Sequence, residues 1–459
     1  MATEIAGLPF WELTFDADGD ADGTQRDAFL ADVRSRGITD VIVFSHGWNN
    51  DRRIANELYQ RFFGLLGPQL PAAARGTVGL AGVVWPSLRW SDEPIPDFFA
   101  DGSGIVGGGA PGTASVTARD TVTAADPTLD GQTLTELRTA FPAAAAPLEE
   151  MARLLAGPPS DAALTAFHEC LGEFSRLAAP ASELAGPDDG EGDKAGDALA
   201  AGEPRMLLDD PVTLFDRYRA ALVAEGVELD DSGGGAAGLG DMLGGLLHGA
   251  KEALRGATYW QMKNRAGVVG RAGLGQLLGQ LPPGVRAHLV GHSFGARLVS
   301  FALAGLPDGA SPVRAVTLLQ GAFSQFAFAR PLPFDAGRNG ALAGMAARID
   351  GPLVACFSEH DGANARFYPL ASFAAQEDSA AAVNPSSRWG AIGANGAQGV
   401  GAALEGIRPV GGRYGFAPGA VLNIDASEVV IKGRPPIGAH SDIVHEQLTW
   451  VVLAAGGLA

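Results

Sequence analysis

The chain has 459 residues, 46% hydrophobic and 19% charged, which is longer than one average domain and enough to bury a sizeable core. Its formal net charge of −19 repels polyanions, so nucleic acid and anionic membrane surfaces are poor partners and an uncharged substrate is easier to admit. Two cysteines, Cys170 and Cys356, stand far apart without metal-type spacing, so no disulfide framework and no metal site is expected.

From the start of the chain, Met1 to Phe10 has neither a basic n-region nor a continuous apolar h-region, and no later stretch is apolar enough to span a bilayer. The expectation is a cytoplasmic protein without integral membrane association. Phe10 to Phe15 reads as a strand, the Asp/Gly-rich Asp16 to Gly23 as a turn, and Thr24 as the N-cap of a helix over Arg26 to Arg36. Val41 to Phe44 is an unbroken apolar run of the kind a parallel strand buried on both faces requires. A helix over about Arg52 to Leu66 and a strand over Leu80 to Trp85 follow.

Beyond Ser91 the pattern changes. Asp101 to Gly112 and Ser232 to Gly240 are Gly-rich, and Gly186 to Glu203 is acidic and Gly/Ala-rich, a composition that cannot bury enough surface to order itself. Between these tracts the spacing predicts helices at Leu134 to Leu155, Asp161 to Leu177, Pro211 to Glu225 and Leu239 to Leu254. In the last, Leu239, Met242, Leu243, Leu246 and Leu247 share one face, and packing onto the core explains that stripe better than membrane contact, since its flanks are not markedly basic. From Thr258 the alternation resumes: a helix to Leu281, a strand at Ala287 to Val290, a helix from Ala296, strands at Ala315 to Leu319, Leu353 to Phe357 and around Val421 to Ile431, and a closing helix to Leu453. The expected architecture is therefore α/β, a mostly parallel doubly wound sheet split into residues 1–90 and 257–459 by a large, mostly helical, partly disordered insertion at 91–256.

Gly291-His292-Ser293-Phe294-Gly295 stands between a strand and a helix, the context of a nucleophile elbow. Side chains at the two outer positions of so tight a turn would clash, and the serine oxygen is thrust clear of the sheet. A second element is Ser45-His46-Gly47-Trp48-Asn49-Asn50 at the end of the first buried strand, where a loop can offer a backbone N–H to an oxyanion. The N–H groups of Trp48 and Phe294 are the expected oxyanion pair. A plain turn capping the next helix through Asn49 or Asn50 would explain the asparagines but not His-Gly after a buried strand.

His46-Gly47-Trp48 after an early strand, Gly-His-Ser-x-Gly after a later one, and then an acid and a histidine in that order resemble the α/β-hydrolase superfamily, over about Phe10 to Trp90 and from Thr258 to the C-terminus. The elbow is similar to that of many lipases, esterases and thioesterases, and Ser293 disfavours members with an aspartate nucleophile. The resemblance implies a Ser-His-Asp triad. Its acid belongs a few residues past the strand Leu353 to Phe357, where Asp361 is the first choice, Glu359 the alternate and Asp425 a distant third. Its histidine belongs between the last strand and the last helix, which selects His440 with His445 as the alternate, the latter falling within the helix. His360 is too early in the fold to return to the elbow, and His46 and His292 serve to orient loops.

The expected activity is hydrolysis of a carboxylic ester or thioester through an acyl-enzyme on Ser293, with no cofactor and no metal, on a small substrate that is uncharged or apolar. A peptidase or acyltransferase on the same triad is the alternative, and a catalytically silent interaction scaffold is a second. The insertion is expected to fold over Ser293 as a cap that shapes the acyl pocket, against the alternative of an appended domain. Asp18 to Gly23 imitates the start of a calcium loop, but Phe29 stands where the bidentate glutamate belongs and a strand precedes it, so it reads as a solvated turn. Gly393 to Gly401 lacks a preceding strand and a lysine, so it is not read as phosphate-binding.

Overall fold

The apolar runs of the sequence form the middle of one sheet. In the computed structural model, which describes residues 2–88, 90–91, 122–123, 127–179, 209–224, 227–229, 239–367, 390–433 and 437–459, the chain-ordered strands are β1 (Thr3–Ile5), β2 (Leu8–Thr14), β3 (Asp40–Ser45), β4 (Val78–Val84), β5 (Val122–Thr123), β6 (Val227–Glu228), β7 (Arg286–His292), β8 (Val313–Leu319), β9 (Leu353–Phe357), β10 (Ala403–Gly406) and β11 (Val421–Asp425). Nine of them form a sheet in the order β1-β2-β4-β3-β7-β8-β9-β11-β10, while β5 and β6 pair separately. Only β1 runs antiparallel to its neighbour within the large sheet. Every residue of β3 and β4 is buried, as a parallel strand covered on both faces must be.

Helices cover both faces. α1 (Gly23–Ser35), α7 (Leu239–Val268) and α9 (Phe294–Gly305) pack with Trp11, Val41, Val43 and Leu289 on one side. On the other, α2 (Arg52–Gln69) and α10 (Glu446–Gly456) pack with Ile42, Phe44, Leu80 and Val290. From β3 the chain winds outward through β4, then returns to place β7 on the opposite side of β3. Strand order reverses there, so the loops leaving the carboxyl ends of β3 and β7 diverge around a crevice. The Ser45 to Asn50 loop and Ser293 leave from those two ends.

Several elements differ from the sequence reading. α1 is capped by Asp22, whose carboxylate accepts from Gln25 N at 2.9 Å, rather than by Thr24. The carboxylate of Asp16 accepts from the amides of Asp18 and Asp20, so the acidic segment closes on itself as a turn. β11 stops at Asp425, well short of Ile431, because Asp425 turns its carboxylate back to Ser427 N. The edge strands β1 and β10 are short and partly exposed, and they carry no apolar run to announce them.

The helix expected over Leu134 to Leu155 is two, α3 (Gly131–Ala140) and α4 (Ala145–Leu155), parted by a single 3-10 turn that starts at Pro142, a residue without an N–H. α5 (Asp161–Ala178) and α6 (Pro211–Ala224) follow. α7 is one helix of 30 residues that runs through Gly256 and continues by a wide turn, Val269–Leu274, into α8 (Gly275–Leu278), where two helices were expected. Its glycines mark contact, not an ending: a Cβ on Gly249 would lie 1.9 Å from Phe215 O of α6. Leu246 and Leu247 are buried, with Leu243 packed beside them, in the same apolar cluster as Phe167, Phe174 and the sheet residues Val43 and Leu289. The side chains of Leu239 and Met242, the tracts Asp101 to Gly112 and Gly186 to Glu203, and most of Ser232 to Gly240 lie outside the described residues. Among the described residues no helix is long and apolar enough to cross a membrane.

Candidate active site

β7 ends at His292 and α9 begins at Phe294, so Ser293 alone makes the turn, with φ 55° and ψ −123°. A non-glycine residue is strained there and persists only where its surroundings over-determine it. They do so through Ser293 N, which donates to Leu319 O at 3.1 Å, and Ser293 O, which accepts from Ala296 N at 3.1 Å and Ala322 N at 3.2 Å. The flanking glycines have no room for a side chain. A Cβ on Gly291 would lie 2.4 Å from Gly295 O in α9, and one on Gly295 would lie 2.0 Å from Ser45 O in β3.

The histidine and the acid come from two further loops. His440 Nε2 lies 2.9 Å from Ser293 Oγ, and His440 Nδ1 lies 3.0 and 2.9 Å from the two oxygens of Asp361. Asp361 is fully buried, four residues past the end of β9. Backbone hydrogen bonds tie the two loops: Ala439 N donates to His360 O at 2.8 Å and Ala363 N to Ile437 O at 3.0 Å. Gly438, at φ +62°, allows this approach, since a Cβ there would lie 2.4 Å from His360 O.

The alternates stand elsewhere. The Glu359 side chain is 78% exposed and faces His360, and the carboxylate of Asp425 is taken up by Ser427. His445 is the residue that precedes α10, not one within it, and its Nε2 lies 2.9 Å from Asp442. Burial opposes the charge of Asp442, but hydrogen bonds from His445 and from the amides of Lys432 and Ile431 outweigh it and lower its pKa. His445 therefore serves the loop through Asp442.

Asn364 carries no signal that sequence reasoning used, yet it holds the acid. Its backbone N–H donates to one oxygen of Asp361 at 3.0 Å, and its side-chain amide donates to the other at 2.7 Å and to Gln320 O at 2.9 Å. Both acceptors are oxygens, which fixes the amide's orientation and leaves Asn364 Oδ1 unpartnered. Gly393, at the start of the glycine-dense stretch, leaves the space: a Cβ there would come 2.1 Å from Asn364 Nδ2. A polar residue one helical turn beyond an acid is the only trace of this in the sequence.

The Ser45 to Asn50 loop lies against Ser293. A Cβ on Gly47 would be 2.6 Å from Ser293 Cβ and 3.2 Å from its Oγ. The Gly47 carbonyl is held by His46 Nδ1 at 2.8 Å and Asn50 Nδ2 at 3.2 Å, and Asn50 also bonds Trp48 O at 2.7 Å. Because a trans peptide points its C=O and N–H in opposite directions, fixing Gly47 O fixes the Trp48 N–H. The amides of Trp48 and Phe294 have no acceptor among the described residues. The α2 cap is Asp51 rather than Asn49 or Asn50. His46 is stacked on Trp85 and accepts its backbone N–H at 3.4 Å, so Nδ1 carries the proton, and burial holds the pKa of the ring at about 4.

The insertion reaches the site through α7. Tyr259 packs edge-on against Trp48 with ring centroids 5.3 Å apart and lies 4.6 Å from the ring of Phe294. The two residues with unpartnered amides thus share one aromatic wall with a residue that lies just past the insertion's expected end. No family model matches the sequence, and neither the curated proteins nor the solved structures return a significant match.

Proposed function

We propose that this chain is a serine hydrolase of the α/β-hydrolase type that cleaves a carboxylic ester or thioester through an acyl-enzyme on Ser293. The observation that carries the reading is one continuous hydrogen-bond chain from Ser293 Oγ through both ring nitrogens of His440 to Asp361, assembled from three separate loops. A serine hydroxyl is a weak nucleophile until a neighbouring base takes its proton, and the base must be oriented by a third group.

In this mechanism Asp361 accepts from His440 Nδ1–H and so leaves Nε2 free to accept the Ser293 proton. As Oγ bonds to the carbonyl carbon, its proton passes to Nε2, and Asp361 stabilises the resulting imidazolium. The negative charge that develops on the carbonyl oxygen is met by the Trp48 and Phe294 amides, which are already oriented and need no reorganisation. The imidazolium then gives its proton to the departing alcohol or thiol. Water, activated by the same nitrogen, releases the acid. The aromatic wall and the net charge of −19 favour an uncharged, apolar acyl group.

Treatment with a fluorophosphonate, followed by peptide mapping, tests the reading. The probe is expected on Ser293, and Ser293→Ala should fold, lose labelling and lose ester turnover by about 10⁶-fold. Undiminished labelling of that variant would reject the proposal.

A further inference from the structure

The three loops that carry Ser293, His440 and Asp361 share no strand ladder that fixes the base relative to the nucleophile. The turn bearing His440 is bonded to the acid's loop by Ala439 N to His360 O and Ala363 N to Ile437 O, and neither bond reaches the elbow. The bond that does comes from His292. Its Nε2 lies 2.9 Å from His440 O, its ring is 2% exposed, and its Nδ1 has no partner. A carbonyl can only accept, so Nε2 carries the proton and this is the ring's one hydrogen bond. Among the described residues His440 O has no other donor. The two imidazoles stand 5.0 Å apart at 41°.

From this arrangement we infer that His292 is a positioning residue, which sets where His440 stands relative to Ser293 by holding the backbone carbonyl of the base. The inference deepens the proposed serine-hydrolase reading and rests on it for the meaning of the placement. His292 directly precedes Ser293, so one dipeptide carries both the nucleophile and the brace for its base. Burial and the neighbouring His440 ring keep His292 neutral, with a pKa of about 3. A rigid ring on a short stem transmits a shift of the elbow directly to His440, and misplacement of a reacting group by about 1 Å can cost about 10²-fold in rate.

The test uses the full chain and two substitutions with opposite expectations. His292→Phe keeps a ring but has no donor, while His292→Gln has an amide nitrogen that can reach the place of Nε2. Active sites are titrated with a phosphonate so that rates refer to reactive Ser293 only. The Phe variant should lose about 10- to 100-fold in kcat and in phosphonylation rate with KM unchanged, and should broaden or shift the downfield Nδ1 proton resonance of the His440–Asp361 bond. The Gln variant should recover most of both. A Phe variant with the native rate per titrated site and an unchanged resonance overturns the inference, and so does one whose only defect is a lower Tm or fewer titratable sites. If the Phe variant does not fold, His292→Asn, whose amide is too short to reach His440, is read in the same way. If native Ser293 takes no phosphonate, the hydrolase reading fails by itself, and the resonance still decides whether His292 places His440.

Discussion

Two buried aspartate–histidine pairs lie at opposite ends of the sheet. At the amino end, Asp40 of β3 meets His288 of β7 at 2.8 Å, and at the carboxyl end Asp361 meets His440 at 2.9 Å. The side chains and distances are nearly the same, yet the surroundings differ. Both amino-end partners project from adjacent, registered strands, and Asp40 is also bonded by Arg286 and Thr39. The second ring nitrogen of His288 has no partner and faces Gly456 of α10, where a Cβ would come within 2.5 Å. That pair can only cross-link β3 to β7. The pair at the other end hangs on loops, and its second nitrogen faces a hydroxyl on a strained turn. The two diads differ in what the second ring nitrogen faces: the packed backbone of α10 in one, the Ser293 hydroxyl in the other.

The largest effect is expected from removing a histidine at the carboxyl end. His440→Ala should cost about 10⁴- to 10⁶-fold in turnover with little change in stability, whereas His445→Ala, which disturbs only Asp442, should change turnover by less than about threefold. Steady-state assays on titrated protein decide this, and the reverse order would move the base to His445.

The amino-end pair should give the opposite signature. Burial opposes the charge of Asp40, but hydrogen bonds from His288, Arg286 and Thr39 outweigh it and hold its carboxyl well below the usual range. Its contribution is therefore complete above the unfolded value of about 3.9 and lost only as pH falls below it. Asp40→Asn should lower stability by about 3 kcal/mol at pH 7, read from urea midpoints, and leave turnover per titrated site unchanged. The deficit should shrink at low pH, where the native carboxyl also protonates. Both proteins should weaken as pH drops from about 6.5 toward 4, because the unfolded chain takes up protons that buried His46, held at about 4, refuses.

A far smaller effect than at His440 is expected at the aromatic wall. Tyr259→Ala should shift the preferred acyl length, changing the ratio of kcat/KM between short and long esters by about fivefold, and leave phosphonate labelling of Ser293 intact. An unchanged ratio would remove α7 from the acyl pocket.

The sequence showed most where one residue's chemistry or a local run of residues sufficed. β9 is an unbroken apolar run and β3 holds one from Val41 to Phe44, and the observed bounds of β9, Leu353–Phe357, are those its apolar run predicts. The Gly-His-Ser-Phe-Gly turn is local steric necessity, and the resemblance pointed to Asp361 and His440, whose side chains form one hydrogen-bonded chain with Ser293. What could not be read depends on partners distant in sequence. Asn364 matters because Gln320 and Asp361 converge on its amide, and Asp40 because β3 lies in register with β7. Asp22 displaced Thr24 as a cap by a competition between neighbours that composition leaves undecided. The boundary expected at residue 256 falls inside α7 because the close approach of α6, where a Cβ on Gly256 would lie 2.5 Å from the Tyr218 hydroxyl, is invisible along the chain.

The unbroken course of α7 bears on how the protein could be reshaped. Thirty helical residues make a rod about 45 Å long, and this one carries the insertion's packing surface near one end and Tyr259 farther along. There is no seam at residue 256 at which a shorter version could be spliced: a deletion ending there would leave a helix stump whose first turns have lost both their partners and their caps. A graft or truncation that respects the molecule has to join ahead of Leu239 and keep the rod whole. Conversely, a substitution far out on the rod that tilts it will be felt as a change in the orientation of Tyr259 against Trp48, so the insertion and the pocket wall form one mechanical part.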